Sequence, residues 1–206
     1  MPKPPDQPDG IALREAINLV QQFKFVRDTV IESLAARFRL SSHLLLGLHR
    51  IAMDGLDVEA GSLRTGRVFI TNAEHKPPPA TDSAELVNEM CDYVNANWGS
   101  ADPVHLAAYV MWRVNWIHPF SDGNGRTSRA ASYLVLCTAL GYLLPGSITT
   151  PEQIARNKRR YFEVLEDCDA AWRGGRLDVS PMERLIARYL EGQLESAPRG
   201  DSGAPD

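Results

Sequence analysis

Three scarcities in this 206-residue chain each remove a class of protein. Cysteine is scarce: Cys91, Cys137 and Cys168 are far apart and odd in number, so they suit buried thiols in a reducing compartment better than a disulfide framework. No C-x-x-C pair occurs, which removes the basis for a structural zinc site. Positive charge is not in excess: 22 Lys and Arg face 26 Asp and Glu, a net −4, whereas a binder of phosphate backbones carries a basic surplus. Nucleic acid is therefore not an expected partner. Long apolar runs are lacking too. Residues 130–151 are uncharged, but the apolar part stops at Leu144 and holds Ser, Thr and Cys, too short and mixed to span a bilayer. It reads as a buried core helix, and no membrane is expected. The N-terminal Met1-Pro2-Lys3-Pro4-Pro5-Asp6 has no apolar stretch of the kind a secretory signal needs. The expected compartment is the cytoplasm, unless the protein is exported as an effector.

What is present is enough for one core: 44% hydrophobic residues beside 23% charged. The apolar positions Leu13, Ile17, Val20, Phe23, Val26, Val30, Leu34 and Phe38 recur every three or four residues, as in a long amphipathic helix or two in sequence. A second apolar segment runs from Leu44 to Met53. Asp82 with Glu85 has the spacing of a capping box, and Asp102-Pro103 has N-cap and first-turn chemistry. Thr150-Pro151-x-Gln153 and Ser180-Pro181-x-Glu183 repeat that signal. Residues 63–71 differ: Gly66 and Asn72 punctuate the stretch, Val68 and Ile70 alternate with Arg67 and Phe69, and prolines 77–79 stop it, which predicts the chain's one hairpin. The expectation is an all-α fold with a small β-hairpin flap. Residues 1–10 form a loose N-terminus, 11–192 a single domain with a helical arm over 11–39, and 193–206 a frayed tail.

The chemistry concentrates in His118-Pro119-Phe120-Ser121-Asp122-Gly123-Asn124-Gly125-Arg126-Thr127-Ser128-Arg129. A helical pattern precedes this segment and another follows, so it is a loop that ends in a helix N-terminus. Gly123 and Gly125 permit close backbone approach there, and the free N–H groups of the new helix make an anion nest. Arg126 and Arg129 share one side of its first turn. Two cations at that end oppose the helix dipole unless an anion offsets them, which points to a phosphorylated ligand. Asp122 is a hard oxygen ligand suited to Mg²⁺ shared with phosphates. His118 has the chemistry of a general base near neutral pH. Pro119 and Phe120 fix the loop by burying the ring. Together these parts fit phosphoryl or nucleotidyl transfer.

The segment resembles the signature of the Fic family, His-Pro-Phe-x-(Asp/Glu)-Gly-Asn-Gly-Arg-x-x-Arg, and matches it at every specified position. The likeness runs over about residues 40–190. It implies a helical fold with a flap that holds the target's segment by strand addition, here Arg67, Val68, Phe69 and Ile70. It also implies transfer of AMP from ATP to a Ser, Thr or Tyr hydroxyl of a target protein. His118 would then be the base, Asp122 would hold Mg²⁺, and Asn124 would contact the α-phosphate. The amides of Gly123 and Gly125 would cradle the phosphates beside Phe120, Arg126 would bind the β/γ side, and Arg129 would hold the γ-phosphate. Asn157 and Tyr161 would lie near the nucleotide. The related Doc kinases carry a lysine at the second glycine, so Gly125 favours adenylylation. Transfer of UMP, phosphocholine or phosphate, or a nucleotide-binding regulatory module without turnover, are the alternatives. Many relatives carry an inhibitory (Ser/Thr)-x-x-x-Glu-(Gly/Asn) helix whose glutamate pairs with the second motif arginine. The nearest matches here are incomplete and centre on Glu191 and Glu32. Otherwise restraint comes from a separate antitoxin-like chain or is absent, and a homodimer through the N-terminal helix is a further expected assembly.

Overall fold

The computed structural model describes residues 8–198 except 36 and 72; the expected loose residues 1–7, the punctuating Asn72 and tail residues 199–206 lie outside the described residues. The described chain is all α. Its helices are α1 (Pro8–Ser33), α2 (Ser42–Met53), α3 (Ser83–Ala96), α4 (Pro103–Ile117), α5 (Asn124–Leu140), α6 (Thr150–Arg156), α7 (Lys158–Arg173) and α8 (Ser180–Glu195). α4 and α5 form a central helical pair, with α1 and α2 packed on α5, α7 and α8 on α4, and α3 beside α4. Most side chains of these two helices are buried, including Leu106 through Val114 without a break and Ala130 through Cys137 without a break. A helix apolar all round belongs at the centre of a domain. No helix among the described residues is long and apolar enough to cross a membrane. All three cysteines are buried free thiols, and burial pushes Cys91 and Cys168 up to about 12 and Cys137 up to about 11.

The caps agree with the sequence in part. Asp102 accepts from Val104 N at 2.7 Å ahead of Pro103, and Ser41 caps α2 by accepting from Leu44 N. Thr149, not Thr150, caps α6. Asp82 sits in a 3₁₀ turn (Ala80–Asp82) and takes the Thr81 hydroxyl, so the predicted capping box does not form.

Three expectations change. First, α1 is one long helix, but the N-terminal half of its apolar stripe faces solvent: Leu13, Ile17, Val20 and Phe23 are exposed, while Asn18 and Gln22 are buried with Val26 and Val30. The inward amides have a purpose. Asn18 Nδ2 donates to Ala52 O and Asp54 O, carbonyls that the end of α2 leaves without helical partners, and Gln22 Nε2 donates to Leu48 O one turn earlier. Second, residues 63–71 form no strand among the described residues. The alternation survives, with Val68 and Ile70 half-buried and Arg67 and Phe69 exposed, but no ladder forms. The buried Arg64 guanidinium holds the carbonyls of Gly66 and Pro78 instead. Third, α8 passes the expected domain end at 192, and Gln193 is fully buried. Its Oε1 accepts from Thr150 N and Oγ1, and its Nε2 donates to Tyr133 Oη, Leu144 O and Pro145 O. Gln193→Leu leaves these groups without partners in the interior. It should lower unfolding free energy in urea by roughly 2–6 kcal/mol, the cost of two stranded polar groups at about 1–3 each.

Candidate active site

The loop between α4 and α5 is built around one ring. Phe120 is fully buried and stacks face to face on His49 of α2, with centroids 3.7 Å apart and planes 6° from parallel. His49 is itself fixed: its Nδ1 accepts from Gly61 N at 2.9 Å, so its Nε2 carries the hydrogen and donates to Asp122 O at 3.1 Å. Asn124 closes the loop from the other side. Its Oδ1 accepts from Phe120 N and its Nδ2 donates to Phe120 O. Gly123 turns through φ 73°, and a Cβ there would lie 2.6 Å from the Met53 sulfur, so the position excludes a side chain on two counts.

His118 ends α4 in the left-handed region at φ 50°, the one non-glycine residue among those described with positive φ. Such a conformation costs about a kcal/mol or more and persists only where neighbours impose it. Here its N–H donates to Val114 O, and the Arg64 Nε donates to its carbonyl. Its Nδ1 lies 3.2 Å from Asn115 O, which only accepts, so Nδ1 carries the hydrogen and Nε2 holds a free lone pair. Burial lowers the His118 pKa below the usual histidine value, and Arg64 and His75 press it the same way against the Asn115 carbonyl and Asp122. The imidazole is thus neutral at physiological pH.

His118 opens on a cavity of about 410 Å³ that also takes in Asp122, Gly123, Gly125, Arg126 and Arg129. Asp122 is exposed, and its Oδ1 accepts from Gly123 N at 2.6 Å. Its other oxygen stays open at the cavity rim, a hard donor of the kind Mg²⁺ shares with phosphates. The first-turn N–H groups of α5 face the same space, as at any helix N-terminus. Arg129 lies against Gly125, where an added Cβ would come 3.3 Å from its Nη1, and it makes no ion pair among the described residues. Burial lowers its pKa, partly opposed by Tyr161. Arg126 is engaged: its Nη2 meets Glu15 Oε1 of α1 at 2.8 Å.

The other expected residues fall into two groups. Phe120 and Asn124 hold the loop rather than line the cavity, so Asn124, expected on the α-phosphate, has its amide committed to the Phe120 backbone. Tyr161 lines the cavity, buried, with its hydroxyl accepting from Asn115 Nδ2 and within 3.2 Å of Ser128 Oγ. Asn157 does not line it; its amide turns to Gln153 O. Of the flap residues Ile70 reaches the cavity wall, with Val68 on its inward side and Arg67 and Phe69 outward. Glu191 and Glu32 are exposed and pair with neither motif arginine among the described residues; the carboxylate that reaches one is Glu15. Residues unmarked by the motif complete the wall. His75 comes from the flap, and Phe162, Leu165 and Asp169 come from α7. Buried Asp169 accepts from Trp112 Nε1 at 2.8 Å, and burial raises its pKa. Only the helical spacing of Tyr161, Leu165 and Asp169 in the sequence placed them on one face.

Known proteins with this arrangement were found in three comparisons. The model of the Fic/DOC family matches residues 39–136. The protein adenylyltransferase Fic of Drosophila willistoni is 32% identical over 165 residues, covering 79% of this chain and 30% of that protein. A Fic family protein from Desulfovibrio desulfuricans G20 superposes with a TM-score of 0.66 at 26% identity, covering 91% of this chain and 55% of that one. Fic-1 of C. elegans shares the fold, with a TM-score of 0.71 at 23% identity over 95% of this chain and 53% of the other. The chain belongs to the Fic/DOC family. It spans about a third of the length of the curated relatives it matches, 30% in the Drosophila protein and 39% in a Nematostella vectensis one.

Two buried histidines tie this site to acid stability. His49 and His118 both titrate below the usual 6.5 because burial disfavours their charged forms. Below that value the unfolded chain binds protons that the native chain resists, so stability rises with pH and is lost as pH falls below about 6.5. Urea midpoints measured from pH 8 to pH 5 should fall on the acid side, and His49→Gln should flatten part of that slope.

Proposed function

We propose that the chain transfers AMP from ATP to a hydroxyl of a target protein. The observation that carries this reading is His118: a neutral imidazole, Nδ1–H held by Asn115 O and Nε2 free, set beside an anion nest and two arginines. Nε2 takes the proton of the target hydroxyl. That oxygen bonds to the α-phosphorus as the bond to the β-phosphate oxygen breaks, and pyrophosphate leaves. The amides at the start of α5 and Arg129 balance the phosphate charge, and charge stabilisation of this kind supplies most of the rate in phosphoryl chemistry. Asp122 would hold Mg²⁺, which when bound neutralises phosphate charge.

The cavity also suits a nucleoside. Tyr161 beside Arg129 and Asp169 at the other end stand two turns apart on α7, roughly 12 Å at 1.5 Å per residue. Phe162 and Leu165 between them offer an apolar wall for a base. The expected target-docking role of 67–70 keeps its support, because an extended segment with period-two exposure and no ladder partner is free to pair with an added strand. The names of the Drosophila and Nematostella relatives support the same activity. Restraint belongs to Glu15, the carboxylate on a motif arginine, and a second copy of the chain is the partner that the exposed stripe of α1 supports.

The test is incubation of purified protein with α-labelled ATP, Mg²⁺ and lysate. Label should enter protein, vanish with EDTA, and fall by roughly 10²–10⁴-fold in His118→Ala, the range for loss of a general base. Glu15→Gln should strengthen labelling, whereas growth of the band in Glu191→Gly or Glu32→Gly would move the restraint there. Labelling from γ-labelled ATP, UTP or CDP-choline instead would overturn adenylyl transfer in favour of another moiety. ATP binding without any label would leave a regulatory module.

A further inference from the structure

We propose that Arg64 is a positioning residue of the transfer reaction: its guanidinium ties the target-docking arm to the backbone of His118, so that docked chain and base keep one register. The proposal rests on the adenylyl-transfer reading and deepens it.

Arg64 is 4% exposed and makes no ion pair among the described residues. A buried cation needs compensation, and here it comes from carbonyl oxygens alone. Nε donates to His118 O at 2.7 Å, Nη1 to Gly66 O at 2.9 Å, and Nη2 to Pro78 O at 2.6 Å and to Ile117 O at 3.4 Å. Its own N–H donates to Pro119 O at 2.9 Å. Ile117 and His118 carry carbonyls at the C-terminal, negative end of α4, where a cation is favoured. Gly66 and Pro78 stand on the outgoing and returning arms of the flap. One planar group therefore joins three pieces of backbone: the end of α4 and both arms. A lysine has one nitrogen and no fork with which to reach all three.

The join matters because of what lies on either side. Residues 67–70 begin immediately after the Gly66 anchor, and Ile70 shares the cavity wall with His118. A peptide paired to that arm brings its side chains past His118 at about 3.3 Å per residue. A shift of one residue also turns the hydroxyl to the opposite face. Displacement of about 1 Å is enough to cost on the order of 10²-fold in rate.

Two measurements on the full chain test this. The first compares wild type with Arg64→Lys and Arg64→Met for binding of a fluorescent ATP analogue and for transfer of α-label to lysate protein. Analogue affinity should stay within about threefold while transfer falls on the order of 10²-fold in both variants, and methylguanidinium should restore transfer to Arg64→Gly. Transfer within threefold of wild type, or analogue binding lost in step with transfer, would overturn the proposal; the latter would make Arg64 a support of the whole fold. The second measurement needs no turnover. Amide hydrogen exchange in Arg64→Lys should rise together over 66–76 and 117–121 and stay unchanged in α8. Faster exchange in the flap alone would overturn the coupling. A wild type that transfers no label would sink the adenylyl reading, while the exchange result would still decide whether Arg64 joins flap and base.

Discussion

The seat of Phe120 is the constraint from which the site follows. α4 and α5 are buried on nearly all sides, so the six residues between them have little room. The stack on His49 and the two hydrogen bonds from Asn124 settle the loop's path. Once Phe120 is seated, Gly123 must turn with positive φ against Met53, and α5 must start where its free amides meet the cavity. The left-handed His118 stands at the other end of the same path. A buried ring thus fixes His118 and the start of α5 relative to each other, which is the rigidity that the proposed transfer would ask of its first contacts.

Charge then sets how the site is held without a ligand. Arg126 and Arg129 sit at the positive end of α5, where the helix dipole disfavours them. The chain treats the two differently. Arg126 borrows a carboxylate from α1, and Arg129 stays partly desolvated beside Tyr161 and Gly125. The second arginine is therefore the better prepared for an incoming anion, and the first must give up its carboxylate to meet one.

The helical fold and the heart of the site were legible in the sequence because both are local. A period of three to four residues declares a helix, and a twelve-residue loop between helices carries its own base, nest and cations. What was not legible depended on distant pairs. Nothing near Asn18 or Gln22 says that they turn inward to serve carbonyls of α2, so the periodicity of α1 did not tell which of its faces meets the core. Gln193 looked like tail because its partners, Thr150 and Tyr133, lie more than forty residues away. The flap's alternation was correctly seen, yet no hairpin forms among the described residues, where the Arg64 guanidinium holds the carbonyls of Gly66 and Pro78. Glu15 carried no signal beyond one acid on a mixed helix.

The inverted face of α1 has a thermodynamic consequence. Its N-terminal half is attached by amide-to-carbonyl hydrogen bonds and two ion pairs, Arg14 with Asp54 and Glu15 with Arg126, with its larger apolar side chains already in water. Peeling it away exposes little new nonpolar surface, so the heat-capacity change of that opening is small and urea has little leverage on it. Such a segment fluctuates below the threshold of global unfolding, as a separate cooperative unit. Because Glu15 travels with it, the charge environment of Arg126 is governed by a local equilibrium that salt moves more readily than denaturant does.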